Sequence, residues 1–343
     1  MKKSNQPSLR NPRSTTIPRT VSIVGTGSFV PARIMTNADL EKIVDTTSAW
    51  IVARTGIRER HIADEKTFTS DMGAEAARRA LVQAHIKPDE IDLIIVATVT
   101  PDMSFPATAC LIQEKIGARR AACFDIEAAC SGFLYGLEIA QQFISSKTYD
   151  TVLVVGAEKL SGIVDWTDRQ TCVLFGDGAG AAILRSRGSE HGLLTTCMGA
   201  DGSRANILCM PAGGARQPAS RESVEARLHF LRMSGKEVFK NAVAAMTAAA
   251  REALRRCSLT VDDIALVIPH QANVRIVNAL ADRLGAPKEK LYVNVDRYGN
   301  TSAASIAIAL DEAARSGRIR RGDLVLMVVF GSGLTWAACV IQW

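Results

Sequence analysis

Three residues far apart in the chain carry side chains whose chemistry could combine: a thiol at Cys130, an imidazole at His270 and a carboxamide at Asn300. Cys130 lies in Phe124-Asp-Ile-Glu-Ala-Ala-Cys-Ser-Gly-Phe133, where an apolar strand gives way to a helical pattern. At such a junction the free N–H groups and partial positive charge of a helix N-terminus favour a thiolate, and Gly132 leaves a substrate room to approach. A thiolate there could take an acyl group from a thioester and pass it to a carbon nucleophile. His270 follows the apolar run Ile264 to Pro269 and opens a helical stretch with Asn273 and Arg275. Asn300 stands in Tyr298-Gly-Asn-Thr-Ser-Ala-Ala-Ser305, ahead of another helix. All three sit at carboxyl ends of strands, where α/β sheets place their sites. Taken singly, each has a plainer reading: Cys130 as core filler like Cys110 or Cys339, His270 as a satisfied histidine, Asn300 as an N-cap.

The elements that would position these residues repeat. Pro88-Asp-Glu-Ile-Asp-Leu-Ile-Ile-Val-Ala97 and Val261-Asp-Asp-Ile-Ala-Leu-Val-Ile-Pro-His270 each run from an acidic turn into an apolar strand. Thr151 to Gly156 and Asp323 to Gly331 each reach a glycine-rich turn and then a further apolar strand, Ala179 to Leu184 and Thr335 to Ile341. Both pairs are offset by about 173 residues, which suggests a duplicated α/β unit. Apolar strands alternate with helical patterns, the signature of a mostly parallel sheet with helices on its faces. Phe133, Leu137, Ala140 and Ile144 line one helix face, and Val277, Leu280, Ala281 and Leu284 line another. Ser302 to Ala314 is rich enough in Ala to be buried on all sides, as a middle layer between two sheets requires. The expected architecture is five layers, α-β-α-β-α, from halves 21–190 and 191–343.

Composition narrows the classes. With 343 residues and 47% hydrophobic side chains the chain can bury a large core. Its apolar runs are far shorter than the ~18 residues a membrane helix needs. The formal charge of +6 is concentrated in residues 1–20, where Lys2, Lys3, Arg10, Arg13 and Arg19 meet no acid, so the remainder is nearly neutral and no nucleic-acid partner is expected. That tail reads as a disordered extension, since it has no apolar core of a secretory signal and Pro7, Pro12 and Pro18 oppose an amphipathic helix. Eight cysteines stand without any CxxC spacing, which excludes the usual zinc and redox patterns and suits free thiols in a cytoplasmic protein.

Ala129-Cys-Ser-Gly-Phe133, His270-Gln-Ala-Asn273 and Gly299-Asn-Thr-Ser-Ala-Ala304 together resemble the Cys, His and Asn motifs of β-ketoacyl-[acyl-carrier-protein] synthase III, the condensing enzyme that initiates type II fatty acid synthesis. The resemblance extends through Thr36 to Glu41, Trp50 to Arg58, Phe175 to Gly180 and Gly235 to Lys240, and so spans Val21 to Trp343. It implies a thiolase-like fold, in agreement with the five layers. It also implies that Cys130 is acylated by a short acyl-CoA, with the oxyanion held by backbone N–H groups of Cys130 and of Ser332 in the Gly331-Ser-Gly333 turn. His270 and Asn300 would then stabilise the enolate formed by decarboxylation of malonyl-[acyl-carrier protein]. No metal or redox cofactor is implied.

The same resemblance places Trp50, Arg54 and Arg169 at the adenine and phosphates of CoA, and Phe239 and Asn273 along the pantetheine tunnel. Phe105 would cross a homodimer interface to close the partner's acyl pocket. Gln271, Ala272, Asn273, Val274, Arg275 and Lys240 would meet the acidic carrier protein. A second possibility keeps the fold and the three residues but serves secondary metabolism, with starters or acceptors of the quinolone or polyketide kind.

Overall fold

The computed structural model describes residues 20–186 and 191–343; most of the basic tail and the proposed boundary near 190 lie outside these described residues. Residues up to 186 supply β1 (Val21–Phe29), the short strands β2 (Ile34–Thr36) and β3 (Glu59–His61), then β4 (Leu93–Ala97), β5 (Ala122–Ile126), β6 (Thr151–Glu158) and β7 (Gly178–Ser186). Their helices are α1 (Asn37–Leu40), α2 (Ser48–Thr55), α3 (Thr69–Ala84), α4 (Thr108–Ile116) and α5 (Gly132–Ser145). Later residues supply β8 (Gly192–Ala200), β9 (Leu208–Cys209), β10 (Arg232–Met233), β11 (Leu266–Pro269), β12 (Leu324–Gly331) and β13 (Thr335–Gln342). With these come α6 (Arg221–Glu225), α7 (Gly235–Arg256), α8 (Val274–Leu284), α9 (Val295–Tyr298) and α10 (Ala304–Arg315).

Two sheets carry the fold, one ordered β1-β7-β6-β4-β5 and one ordered β11-β12-β13-β8. Between them lie α5 and α10, whose apolar side chains share one core with the inner faces of both sheets. α3 and α4 cover the outer face of the first sheet, and α7 and α8 that of the second. The five expected layers are therefore present. Phe133, Leu137, Ala140 and Ile144 are all fully buried on α5, on the sides it turns to the sheets, while Gln142 stays exposed. Small residues make the close approach feasible: a Cβ at Gly156 of β6 would lie 2.4 Å from Ala303 O at the head of α10.

The sheets are mixed rather than mostly parallel. β4 runs parallel to β5 and β6, and β11 to β12, whereas β1–β7, β6–β7, β12–β13 and β13–β8 pair antiparallel. The reason lies in the connections. β12 passes to β13 through a turn too short for the crossover a parallel partner needs, and β6 to β7 through a segment without the α-helix that usually makes one. Both exceptions follow glycine-rich turns.

Phe133 is the largest fully buried apolar side chain of the central layer. Phe133→Ala is expected to lower unfolding free energy by about 3–5 kcal/mol, through lost burial plus a cavity that two sheets cannot close. Denaturant unfolding of the two proteins measures this.

Candidate active site

Cys130 sits in a short 3-10 turn, Ala129–Ser131, between the end of β5 and the first residue of α5. Ala129 takes a left-handed backbone (φ 47°), a conformation costly outside glycine and maintained only by its surroundings. Those surroundings come from the second sheet. Thr335 Oγ1 lies 2.9 Å from Ala128 O, 2.9 Å from Ser332 O and 3.1 Å from Ser131 Oγ. Gly331, at the end of β12, faces the backbone of the cysteine so closely that a Cβ there would be 2.8 Å from Cys130 N. Only glycine lets the β12–β13 turn lie beside the Cys130 amide.

Asn300 is pinned through its backbone to the segment after Val173: its N–H donates to Leu174 O (2.8 Å) and its carbonyl accepts from Gly176 N (3.1 Å). Its side chain does not cap α10, whose N-cap is Ala303. Instead Oδ1 accepts from Ser302 N at 2.8 Å, so the carboxamide oxygen is engaged and its NH2 is the end free to donate. Cys130, His270 and Asn300 are each less than 9% exposed and line one cavity of about 1450 Å³.

His270 follows β11 directly, its N–H donating to Val328 O at 2.8 Å. Burial lowers its imidazole from the ordinary 6.5 to about 4, so the ring is neutral at physiological pH. Nδ1 is buried without a hydrogen-bond partner. An orphaned N–H costs more than an orphaned lone pair, so the proton is assigned to Nε2. The site thus offers two neutral donors, Nε2–H and the Asn300 amide.

Burial pushes the Cys130 thiol up to about 12; the nearby Glu158 charge adds to that, while contacts from the Ser302 hydroxyl and the backbone of Cys130 work against it. The α5 N-terminus also opposes the rise. Burial prevails, so the resting group is a thiol, not the thiolate expected from the helix end alone, and attack must carry a proton away.

Trp50, Arg54, Arg169, Phe239, Ala272, Asn273, Arg275 and Ser332 line the same cavity. Two guanidinium groups lie near the Trp50 ring, Arg54 at 4.6 Å and Arg169 at 4.9 Å from its centroid. Arg169 also donates to Asp45 O at 2.9 Å. Asn273 caps α8 through Oδ1, which accepts from Arg275 N (2.8 Å), and Arg275 lies 5.9 Å from the Phe239 ring. Lys236 was not singled out among the binding residues, yet it lines the cavity and is exposed, as are Arg54, Arg169 and Arg275. Lys240 and Val274 lie outside the cavity lining; Lys240 is exposed and Val274 half-buried. Phe105 is 84% exposed.

Gln271 is a correction. It is 1% exposed, its amide donates to Pro269 O and Tyr292 O, and its oxygen accepts from Asn294 N and Val295 N. With every polar atom used inside the fold, it cannot meet a docking protein.

Sequence reading also missed Ser302, which sits inside the Asn300 motif, lines the cavity and holds the Asn300 oxygen through its backbone N–H. Among the described residues no cluster of three or more His, Cys, Asp or Glu could hold a metal ion, and no helix is long and apolar enough to cross a membrane.

Residues 124–202 match 3-oxoacyl-[acyl-carrier-protein] synthase III, and residues 254–343 match the C-terminal part of the same family. Over 321 residues the chain is 58% identical to the β-ketoacyl-[acyl-carrier-protein] synthase III of Caldanaerobacter subterraneus subsp. tengcongensis, covering 94% of this chain and 97% of that one. This chain belongs to the β-ketoacyl-[acyl-carrier-protein] synthase III family. Its fold is that of the family: the Aquifex aeolicus VF5 synthase III structure superimposes with a TM-score of 0.88 at 50% identity, covering 94% of this chain and all of that one. The priming β-ketosynthase of the R1128 polyketide pathway gives the same TM-score at 39% identity, covering 98% of this chain and 99% of that one. Membership makes the protein a condensing acyltransferase.

The neutral imidazole is directly observable. In carbon-labelled histidine NMR, the His270 ring signals should stay constant from pH 8 to 5.5 and move only on approach to pH 4. A midpoint near 6.5 would show that burial does not lower the imidazole.

Proposed function

We propose that this synthase initiates fatty acid synthesis by condensing a short acyl-CoA, acetyl-CoA first, with malonyl-[acyl-carrier protein] to give a 3-oxoacyl-[acyl-carrier protein]. The reading rests on one observation above all: Cys130 shares its cavity with two neutral donors, His270 and Asn300. In the first half-reaction the Cys130 sulfur attacks the thioester, the oxyanion is met by backbone N–H groups of Cys130 and Ser332, and CoA departs. In the second, malonyl-[acyl-carrier protein] loses carbon dioxide. Negative charge then develops on its thioester oxygen, where donors that carry no charge of their own are suited to accept it. The resulting enolate carbon attacks the acyl group on Cys130. Decarboxylation itself supplies the carbanion, so the reaction asks for no metal or redox cofactor.

CoA fits the cationic end of the cavity. Its adenine would stack on Trp50 in place of a guanidinium, leaving Arg54 and Arg169 for the phosphates, with pantetheine passing Phe239 and Asn273. An acidic carrier protein would meet Arg275, Lys240 and the turn of Ala272, Asn273 and Val274, drawn by charge. All eight cysteines are unpaired, which suits the reducing cytoplasm in which we place the enzyme. Residues 21–190 and 191–343 are read as two related halves, since all strands of the first sheet precede residue 187 and all those of the second follow residue 191.

A homodimer completes this reading. β5 is an edge strand of the first sheet, and an unpaired edge is a template for a second copy. Phe105, exposed on the loop before α4, would reach across that edge into the partner's acyl pocket. Sedimentation at micromolar concentration should give a dimer; a monomer that condenses at full rate would remove Phe105 from this role.

Incubation with acetyl-CoA should add one acetyl mass to the Cys130 peptide, and labelling elsewhere would overturn the assignment. His270→Ala and Asn300→Ala should keep that transfer measurable while lowering carbon dioxide release by at least ~10²-fold. Starter choice, including the polyketide-type alternative, is measured with a panel of acyl-CoA primers from acetyl to decanoyl, straight and branched.

A further inference from the structure

Two sheets meet at the nucleophile. The turn bearing Cys130 follows β5 of the first sheet, and the turn bearing Ser332 joins β12 to β13 of the second. Among the described residues neither the Cys130 N–H nor the Ser332 N–H has a backbone acceptor, and no backbone hydrogen bond joins the two turns. Each turn is held on its own side. Ser131 N donates to Ala128 O at 3.1 Å, Ser332 Oγ donates to Leu208 O, and Leu334 and Asp201 exchange backbone hydrogen bonds of 2.9 and 2.8 Å. Two N–H groups supported in this way can share one oxyanion only if their separation is fixed, since each must come within about 2.7–3.1 Å of that oxygen.

The link between the turns is a single hydroxyl. Thr335 Oγ1 stands 2.9 Å from Ala128 O, on the peptide that precedes the one bearing the Cys130 N–H. It stands equally 2.9 Å from Ser332 O, on the peptide that follows the one bearing the Ser332 N–H. Ser131 Oγ, fully buried beside the cysteine, is 3.1 Å away. One O–H thus faces three acceptors, two on the Cys130 turn and one on the Ser332 turn. The hydroxyl sits within the contact itself: a Cβ on Gly331 would lie 2.8 Å from Cys130 N and 3.1 Å from Thr335 Oγ1. Thr335 lies outside the cavity lining, so what it does to a bound thioester it does through the backbone.

We propose that Thr335 is a positioning residue whose hydroxyl sets the separation of the Cys130 and Ser332 N–H groups and so builds the oxyanion site for acylation. As the sulfur attacks, the S–C bond forms and the carbonyl electron pair moves onto oxygen, between the two N–H groups. Return of that pair breaks the C–S bond to CoA, and the proton lost by the thiol ends on the CoA sulfur. Thr335 exchanges no proton in these steps. Without its hydroxyl the two turns can drift apart while the sulfur, His270 and Asn300 keep their own supports, so the loss falls on the transition state and not on substrate binding. The inference rests on the reading of Cys130 as the acyl acceptor, with Ser332 as the second oxyanion donor.

The test compares two reactions of the same sulfur in the full-length protein. Acetyl transfer from acetyl-CoA, followed by intact mass, passes through an oxyanion; alkylation of Cys130 by iodoacetamide does not. Thr335→Val, which keeps the branched shape and removes the hydroxyl, should lower the maximal rate of acetyl transfer by ~10–100-fold. The half-saturating acetyl-CoA concentration and the alkylation rate should each change by less than about threefold. Thr335→Ser, which restores the hydroxyl, should bring acetyl transfer back to within about threefold of wild type. Thr335→Ala lacks the hydroxyl in a smaller side chain and decides the matter if the valine variant does not fold. Wild-type acetyl transfer in a folded variant without the hydroxyl would overturn the proposal. So would a serine variant as slow as the valine one, or acetyl transfer and alkylation falling together, the mark of a turn that has come apart. Failure of the wild-type protein to acetylate Cys130 would instead sink the function on which the proposal rests.

Discussion

Everything at the active site depends on two helices, α5 and α10, being packed between two sheets. A helix so placed must be apolar or small wherever it meets a sheet, and α10 meets this with Ala304, Ile306, Ala307, Ile308, Ala309, Leu310 and Ala313. The two helices begin near each other: a Cβ at Gly132, the first residue of α5, would lie 3.8 Å from Ala303 Cβ. The turns leading into them carry Cys130 on one side and Asn300 and Ser302 on the other. Convergence of chemistry is thus a by-product of packing. Residues 170 positions apart meet because two buried helices start at one place.

Burial then sets the electrostatics. The interior that makes the helices stable also disfavours charge on every titratable group at their heads: the Cys130 thiol is raised, the His270 imidazole is lowered, and the Glu158 carboxyl is raised toward neutrality. For His270 this is what an enolate partner needs, a hydrogen bond without a proton to surrender. For Cys130 it is an obstacle. One environment therefore assists the second half-reaction and impedes the first.

Much of this was legible in the sequence, for reasons that can be named. The helical period marked α5, where all four expected residues are buried, and α8, where Val277, Leu280 and Ala281 are. The repeated acidic turn before an apolar strand marked β4 and β11, now seen at corresponding places in the two sheets. Strand direction was misjudged because apolar runs announce burial, not orientation; the short turn after β12 held the information. Gln271 was misplaced because neighbours in a turn point in opposite directions, and adjacency to Asn273 says nothing of which side chain faces inward. Ser302 was missed because its part is relational: its backbone N–H holds the Asn300 carboxamide oxygen, which only the fold discloses.

The single cavity has a temporal consequence. On the proposed reaction the acyl donor and the malonyl donor would both reach Cys130 through the cavity that holds His270 and Asn300, and would take turns there. CoA must vacate before the carrier-bound substrate enters, and each free carrier of the pantetheine arm becomes a competitor of the other. The enzyme's response to changing supplies would then be governed by the ratio of the two pools, not by either concentration alone.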